Sequence, residues 1–265
     1  MSGPRIVTLD IETAPLQSFH WGLWDQNISV KQINVEWSIL SFSYKWADED
    51  RVHYADTGGR GPELVRDDSG LLMQLWTLLD EADIVVGQNA QKFDVKKINA
   101  RLFAEGYGPY RPVKVIDTLL VAKSKFAFTS NKLEWMSKLT KNPKSEHKNF
   151  PGFDLWLACL ADNPAAWAEM KEYNEQDVIS TEELYLMMRP WIDGHPNVAN
   201  HDDHETGHDQ GPACPKCAST DLRKQGFKYT QTGKYQQYQC GGCGGWSRSR
   251  YTLNTIAQRR TLLSN

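Results

Sequence analysis

The sequence predicts a mixed α/β domain, a sheet covered by helices on both faces, followed by a small metal-binding module. Three observations predict it. Over residues 1–192, short stretches of strand character interleave with amphipathic stretches of helical period. Residues 193–213 then hold Gly, Pro, Asn, Asp and four His with no periodicity, which reads as a linker. In residues 214–265, four of the five cysteines form two C-x-x-C pairs.

The first element is the strand Val7-Thr8-Leu9-Asp10-Ile11-Glu12-Thr13, in which apolar and polar residues alternate. Asp10 and Glu12 lie two apart, so they project from one face. Paired carboxylates on an apolar strand call for a cation or for solvent. An aromatic loop, Phe19 to Trp24, comes next; its rings suit either stacking on bases or anchoring a long loop. A strand at 37–44 pairs as a hairpin with 52–55 across the polar turn 47–50. Ser69 is a candidate cap for a helix over 70–82, with Leu71, Leu72, Leu75, Leu78 and Leu79 on one face. A short apolar strand at 83–87 leads to a helix over 94–105, stopped by Gly106. A strand at 113–116 and helical segments at 117–124 and 131–139 follow. Pro164 opens a long helix that reaches Met188 before Pro190.

The 265 residues are 40% hydrophobic and 24% charged, an ordinary globular balance with room for one sizeable core and an appendage. No apolar run reaches about 18 residues, so no membrane span is expected. Met1–Arg5 leads straight into a strand, so no signal peptide is expected and the location is expected to be cytoplasmic. Net charge is −3, but residues 211–265 hold nine Lys or Arg against Asp221 alone, which makes that tail +8 and the remainder −11. A basic tail on an acidic body points to a polyanionic partner. Ten tryptophans is a high number; core packing is expected to take about two thirds of them, and a nucleic-acid enzyme could use the others for base stacking. Cys159 stands alone and reads as a small buried hydrophobe.

Two further acids stand where a metal site would want them. Asp94 ends Gly87-Gln88-Asn89-Ala90-Gln91-Lys92-Phe93-Asp94, at a helix mouth. Asp177 follows Tyr173 by four residues on the long helix, so the two share a face. Asp10-x-Glu12, Asn89-x-x-x-Phe93-Asp94 and Tyr173-x-x-x-Asp177, in that order, resemble the signature of the DEDD 3′→5′ exonuclease superfamily, tyrosine subtype. The Asn-x-x-x-Phe-Asp spacing is similar to that of family B DNA polymerase proofreading domains. The resemblance spans residues 5–190 and, with no polymerase-sized region following, is to a stand-alone exonuclease of the kind found in phage genomes, at work in a bacterial or phage-infected cell.

The resemblance implies a ribonuclease-H-like mixed sheet flanked by helices. It implies a metal-dependent exonuclease that removes nucleoside 5′-monophosphates from DNA 3′ ends. Its cofactors would be two Mg2+ or Mn2+ ions about 3.5–4 Å apart. Asp10 would bridge both ions, Glu12 and Asp177 would bind the ion on the nucleophile side, Asp94 would support the other, and Tyr173 would orient the water. Thr13 is either a contact to the terminal nucleotide or a simple strand end. Asn89 and Phe93 would hold the motif loop and pack against that nucleotide. RNA is the alternative substrate, and a non-catalytic nucleic-acid adaptor the alternative class.

Other polar residues carry plainer readings. Asp117 is expected to cap a helix, and Glu172 and Glu175 to be solvated. Lys132, Lys138, Lys141, Lys144, His147 and Lys148 form either a phosphate-contacting patch or a solvated face. His201, His204 and His208 are expected to sit in a solvated linker.

Cys214-x-x-Cys217 and Cys240-x-x-Cys243, 22 residues apart, read as a four-thiolate site for one structural Zn2+. A module this small lacks a core of its own, so the metal would supply folding energy. Residues 214–247 resemble the zinc ribbons of insertion-sequence transposases, with strands at 226–230 and 235–240. Lys228, Tyr229, Lys234, Tyr235 and Tyr238 interleave charge and rings, as a nucleic-acid surface would; protein contact is the alternative use of such a ribbon.

Overall fold

The computed structural model describes residues 3–143, 149–201 and 211–264. Lys144, His147, Lys148, His204 and His208 lie outside them. The chain divides into two compact units, Arg5–Tyr185 and a second one holding residues from Leu186 onward.

The first unit is built on β1 (Ile6–Thr13). Val7, Leu9 and Ile11 are buried in a cluster with the leucines of the first helix, as alternation requires. A two-residue strand β2 (Gln17–Ser18) pairs with β3 (Ile33–Val35) at the root of the aromatic loop. Phe19, Trp21 and Trp24 stand exposed beyond it, so they do not anchor that loop. The hairpin follows as β4 (Ile39–Trp46) and β5 (His53–Asp56). Then come α1 (Ser69–Glu81), β6 (Ile84–Gly87), α2 (Asp94–Ala104) and β7 (Lys114–Asp117). The remaining helices are α3 (Thr118–Lys125), α4 (Leu133–Met136), α5 (Asp154–Leu160) and α6 (Pro164–Met188).

The sheet order is β5-β4-β1-β6-β7. β4 runs antiparallel to β1, and β6 and β7 continue parallel to it. This mixed sheet with flanking helices is compatible with the ribonuclease-H-like class expected. One face packs on α1 and α2 through Leu72, Leu75, Leu79, Ile98 and Leu102. A second cluster joins Leu40 and Val65 to Leu155 and Cys159 of α5 and to Ala166, Trp167 and Met170 of α6. Burial pushes the Cys159 thiol up to about 12, the behaviour of an inert core residue.

Some local expectations change. Ser69 is the first helical residue and not the cap; Asp68 holds the cap position, but its carboxylate is engaged elsewhere. Arg101 grips both its oxygens at 2.9 and 2.8 Å, and the Ile39 N–H donates to one of them at 2.9 Å. That buried fork ties α2 to the start of β4. The segment expected to be helical at 131–139 is one turn of α-helix finished by a 3-10 turn over Ser137–Leu139. Helix α5 was not expected at all: its seven residues are too few for a period to register.

The second unit contains a three-stranded antiparallel sheet with the middle strand in sequence at its centre. Its strands are β8 (Leu222–Tyr229), β9 (Lys234–Cys240) and β10 (Trp246–Arg248). Two of these match the expected ribbon strands; β10 and a terminal helix α7 (Ile256–Thr261) are additional. Val198–His201, within the stretch read as linker, forms a 3-10 turn whose Val198 N–H donates to the Pro215 carbonyl at 2.9 Å. No helix among the described residues is long and apolar enough to cross a membrane.

Candidate functional site

The polar side of β1 meets a polar side of β4. The register sets Glu12 against Ser41, Asp10 against Ser43 and Thr8 against Lys45. Helix α6 lies over this strip. Lys45 pairs with Glu182 at 2.7 Å, and Asn174 reaches Asp10. One turn along the same helix is Asp177, buried at 4% exposure.

The structure therefore brings Asp10, Glu12 and Asp177 together. One carboxylate oxygen from each lies within 4.8 Å of the others. An octahedral magnesium ion with ligands about 2.1 Å away spans opposite oxygens about 4.2 Å apart. The cluster thus has the size and the hard-oxygen chemistry of a divalent-ion site, and three clustered anions are costly without a cation. These three residues could hold a metal ion.

Asp94 joins the same region from another element. The β1–β6 ladder ends at Thr8 and Val86, so the Ile11 N–H lies beyond it. Asp94 Oδ1 accepts that N–H at 3.1 Å. Burial, then the nearby charges of Asp117 and Asp177, push the Asp94 carboxyl up to about 7, against the pull of the backbone N–H groups of Ile11 and Asp94 itself. Its oxygens do not fall within the tight three-acid cluster.

The Tyr173 hydroxyl is held protonated well above the usual tyrosine range by burial, then by Asp177, Glu12 and Asp10. It is therefore a neutral hydrogen-bonding group beside the acids, with its ring set edge-on to Trp156. Thr13 follows a break in the β1–β4 register and sits half-buried opposite Ile39. Asn89 adopts a left-handed backbone with φ of 66°. Phe93 is half-buried against the core cluster of β1, α1 and α2.

Three contributions have no counterpart in the sequence motifs. Asn174, fully buried, donates from Nδ2 to Asp10 Oδ2 at 2.6 Å, while Ser41 Oγ donates to Asn174 Oδ1 at 3.5 Å. Its position three residues before Asp177 was the available signal. Asp117 caps α3, as expected, through the N–H groups of Leu119 and Leu120. It also accepts the N–H groups of Asn89 and Gln91 at 3.0 and 3.1 Å, which fixes the loop leading to Asp94. Gly87 lets that loop close down: a Cβ there would lie 2.7 Å from the Ala90 Cβ and 3.1 Å from the Leu9 carbonyl.

The four cysteines of the second unit also converge. Their Sγ atoms all lie within 4.8 Å of one another, at 3.7 Å for Cys214 and Cys243 and 3.6 Å for Cys217 and Cys240. Thiolates about 2.3 Å from a tetrahedral zinc stand about 3.8 Å apart. The spacing is far longer than a disulfide of about 2.05 Å. Backbone N–H groups of Lys216 and Cys217 point at the Cys214 sulfur, and those of Cys243 and Gly242 at the Cys240 sulfur. Burial pushes Cys217 up to about 12, whereas Cys240, despite its burial, is drawn down to about 7 by the Cys243 N–H, the Cys217 thiol and the Gly242 N–H. The cluster could bind zinc and form a zinc ribbon.

Compared with known proteins, the sequence matches no family model and no curated protein. Among solved structures the chain is similar to the family B DNA polymerase from the hyperthermophilic archaeon Pyrobaculum calidifontis. The identity is 17% and the TM-score 0.48, over 70% of this chain and 25% of the polymerase. The match thus spans about a quarter of that polymerase.

Proposed function

We propose that the chain is a metal-dependent 3′→5′ exonuclease of the DEDD class, tyrosine subtype, acting on DNA 3′ ends and releasing nucleoside 5′-monophosphates. The observation that carries this reading is the convergence of Asp10, Glu12 and Asp177 within 4.8 Å, from a strand and a helix far apart in sequence. Asp10, Glu12, Asp94 and Asp177 would hold two Mg2+ or Mn2+ ions. Bound there, the ion pair supplies an activated water and neutralises charge on the phosphate and the leaving 3′ oxygen.

The chain's own residues do the rest. Asn174 orients Asp10 by donating to Oδ2. Asp94 keeps β1 in register by accepting the Ile11 N–H. Tyr173, held protonated, positions the attacking water through its hydroxyl. Asn89 and Phe93, on the loop fixed by Asp117, and Thr13 at the strand end border the terminal nucleotide. Phe19, Trp21 and Trp24 lie just beyond β2 and stand exposed at 71%, 102% and 82%, available to stack on unpaired bases. Four thiolates from Cys214, Cys217, Cys240 and Cys243 would hold one structural Zn2+. A cytoplasmic setting fits the reduced thiols this site requires.

The test is product analysis with magnesium or manganese on an unlabelled oligodeoxynucleotide. Nucleoside 5′-monophosphates should accumulate. Asp10→Ala should reduce their release by at least about 10³-fold, since an oxygen ligand is lost from the metal site, while a cooperative melting transition persists, lowered by loss of the buried bond from Asn174. Tyr173→Phe should slow release by less, on the order of 10²-fold, the low end of what one positioned proton-handling group contributes. Near-normal turnover of Asp10→Ala would overturn the proposal.

A further inference from the structure

The second unit presents a surface that the acidic site does not use. Opposed residues on antiparallel strands share a face, and faces alternate along each strand. The pairs Lys228 with Tyr235, Arg248 with Gln237 and Trp246 with Gln239 therefore all lie on one side of the ribbon sheet. On that side the Arg248 guanidinium lies 4.0 Å over the Tyr235 ring. The same Trp246 and Arg248 line a cavity of about 400 Å³, together with His195, Lys216 and Arg250; Asp193 is the one acid in its lining. That volume is in the range of small-ligand sites. Trp246 remains 46% exposed at its edge.

We propose that this face is a second nucleic-acid site, specific for single strands. It takes backbone phosphates on Lys228, Arg248 and Arg250 and an unpaired base against Trp246 in the cavity. Charge sets the partner as a polyanion: the tail holds nine basic residues against one acid. The rings set it as one with accessible bases, because stacking on aromatic side chains needs unpaired nucleotides. An acidic peptide would satisfy the cations and leave the exposed Trp246 without a role. The site deepens the proposed exonuclease reading by supplying a hold on the substrate, yet binding here does not need hydrolysis.

The experiment uses the full chain with its zinc. Binding of a fluorescent oligothymidylate is measured by anisotropy without added divalent metal, across a salt series, for the unmodified protein and for R248E/R250E. Two lost phosphate contacts on a single strand should lower the salt slope by about 1.4. R248K/R250K, which keeps the charge, should retain the slope, and Trp246→Ala should weaken binding about 10-fold, in line with one lost stacked base. Zinc content at the unmodified level in each variant excludes misfolding. Hydrolysis of a small chromogenic phosphodiester with manganese reports the acid site alone and should be unchanged in all three variants. An unchanged slope in R248E/R250E, or equal loss of slope in R248K/R250K, would overturn the proposal. Equal weakening of duplex binding by Trp246→Ala would overturn its single-strand specificity. Absence of diester hydrolysis alongside the predicted binding changes would count against the exonuclease reading and leave this site standing.

Discussion

Asn174 shows how a single buried amide organises charge. It has no place in the acidic motifs, yet it holds Asp10 at 2.6 Å and is itself approached by Ser41. Removing it takes away one of the bonds that orient the Asp10 carboxylate. Asn174→Ala should therefore raise the magnesium concentration for half-maximal activity at least about 10-fold, the effect expected of a group that orients a metal ligand. An unchanged metal requirement with only a lower melting temperature would make Asn174 purely structural. Asp10, Glu12, Asp94, Tyr173 and Asp177 stood out in the sequence because acids at strand and helix spacing have a pattern. Asn174 and the second role of Asp117 did not, since a hydrogen bond across more than 160 residues, or from a cap to another loop, leaves no periodic trace. For Asp117 the residue type signalled the cap on Leu119 and Leu120, and the bonds to Asn89 and Gln91 came with the fold.

Between elements, side-chain staples replace secondary structure. The connection from β5 to α1 is held to the turn between α5 and α6 by Asp162. Its oxygens accept the N–H groups of Gly59 at 2.8 Å and Gly61 at 2.6 Å, with Trp167 Nε1 at 2.8 Å. The Gly59 N–H, then Gly61, Trp167 and Arg60, together outweigh the opposing effect of burial and hold Asp162 below the usual carboxylate range. Its folded pKa is depressed, so its contribution is present above the unfolded value near 3.8 and is lost as pH falls through the lower folded value. Asp162→Asn should thus cost about 1 kcal/mol at pH 7, the order of one charge-assisted bond at a partly exposed site. The difference from the unmodified protein should shrink below pH 4, as urea titrations at pH 7 and pH 3 would measure. A difference that grows on acidification would contradict this account. Strands and long helices were legible because β1 keeps period 2 and α1 keeps a leucine face. Helix α5 and the β2–β3 pair were hidden because seven and two residues carry no period.

Across the whole molecule the chain separates an acidic unit, where carboxylates gather, from a basic unit, where thiols gather. The C-x-x-C spacing made the second cluster legible in advance, because two knuckles are what a tetrahedral ion needs. The linker reading was coarser than the molecule: Val198 is buried and bonded to Pro215 within the second unit, a packing that Gly, Pro and Asn content conceals. The four-thiolate geometry predicts one zinc per chain by elemental analysis. Cys240→Ser should reduce that to a small fraction and expose the β8–β10 strands to proteolysis, since such modules fold on their metal. Full protection without zinc would contradict it.

The proposed exonuclease would rest on Asp10, Glu12, Asp94 and Asp177 acting together on divalent metal. The most direct measurement incubates the protein and magnesium with matched DNA and RNA oligonucleotides labelled at the 5′ end, beside circular single strands. A DNA ladder that shortens from the 3′ end, with circles intact and no ladder for Asp10→Ala, is the predicted result. Cleaved circles, or no cleavage of any strand with magnesium or manganese, would contradict it.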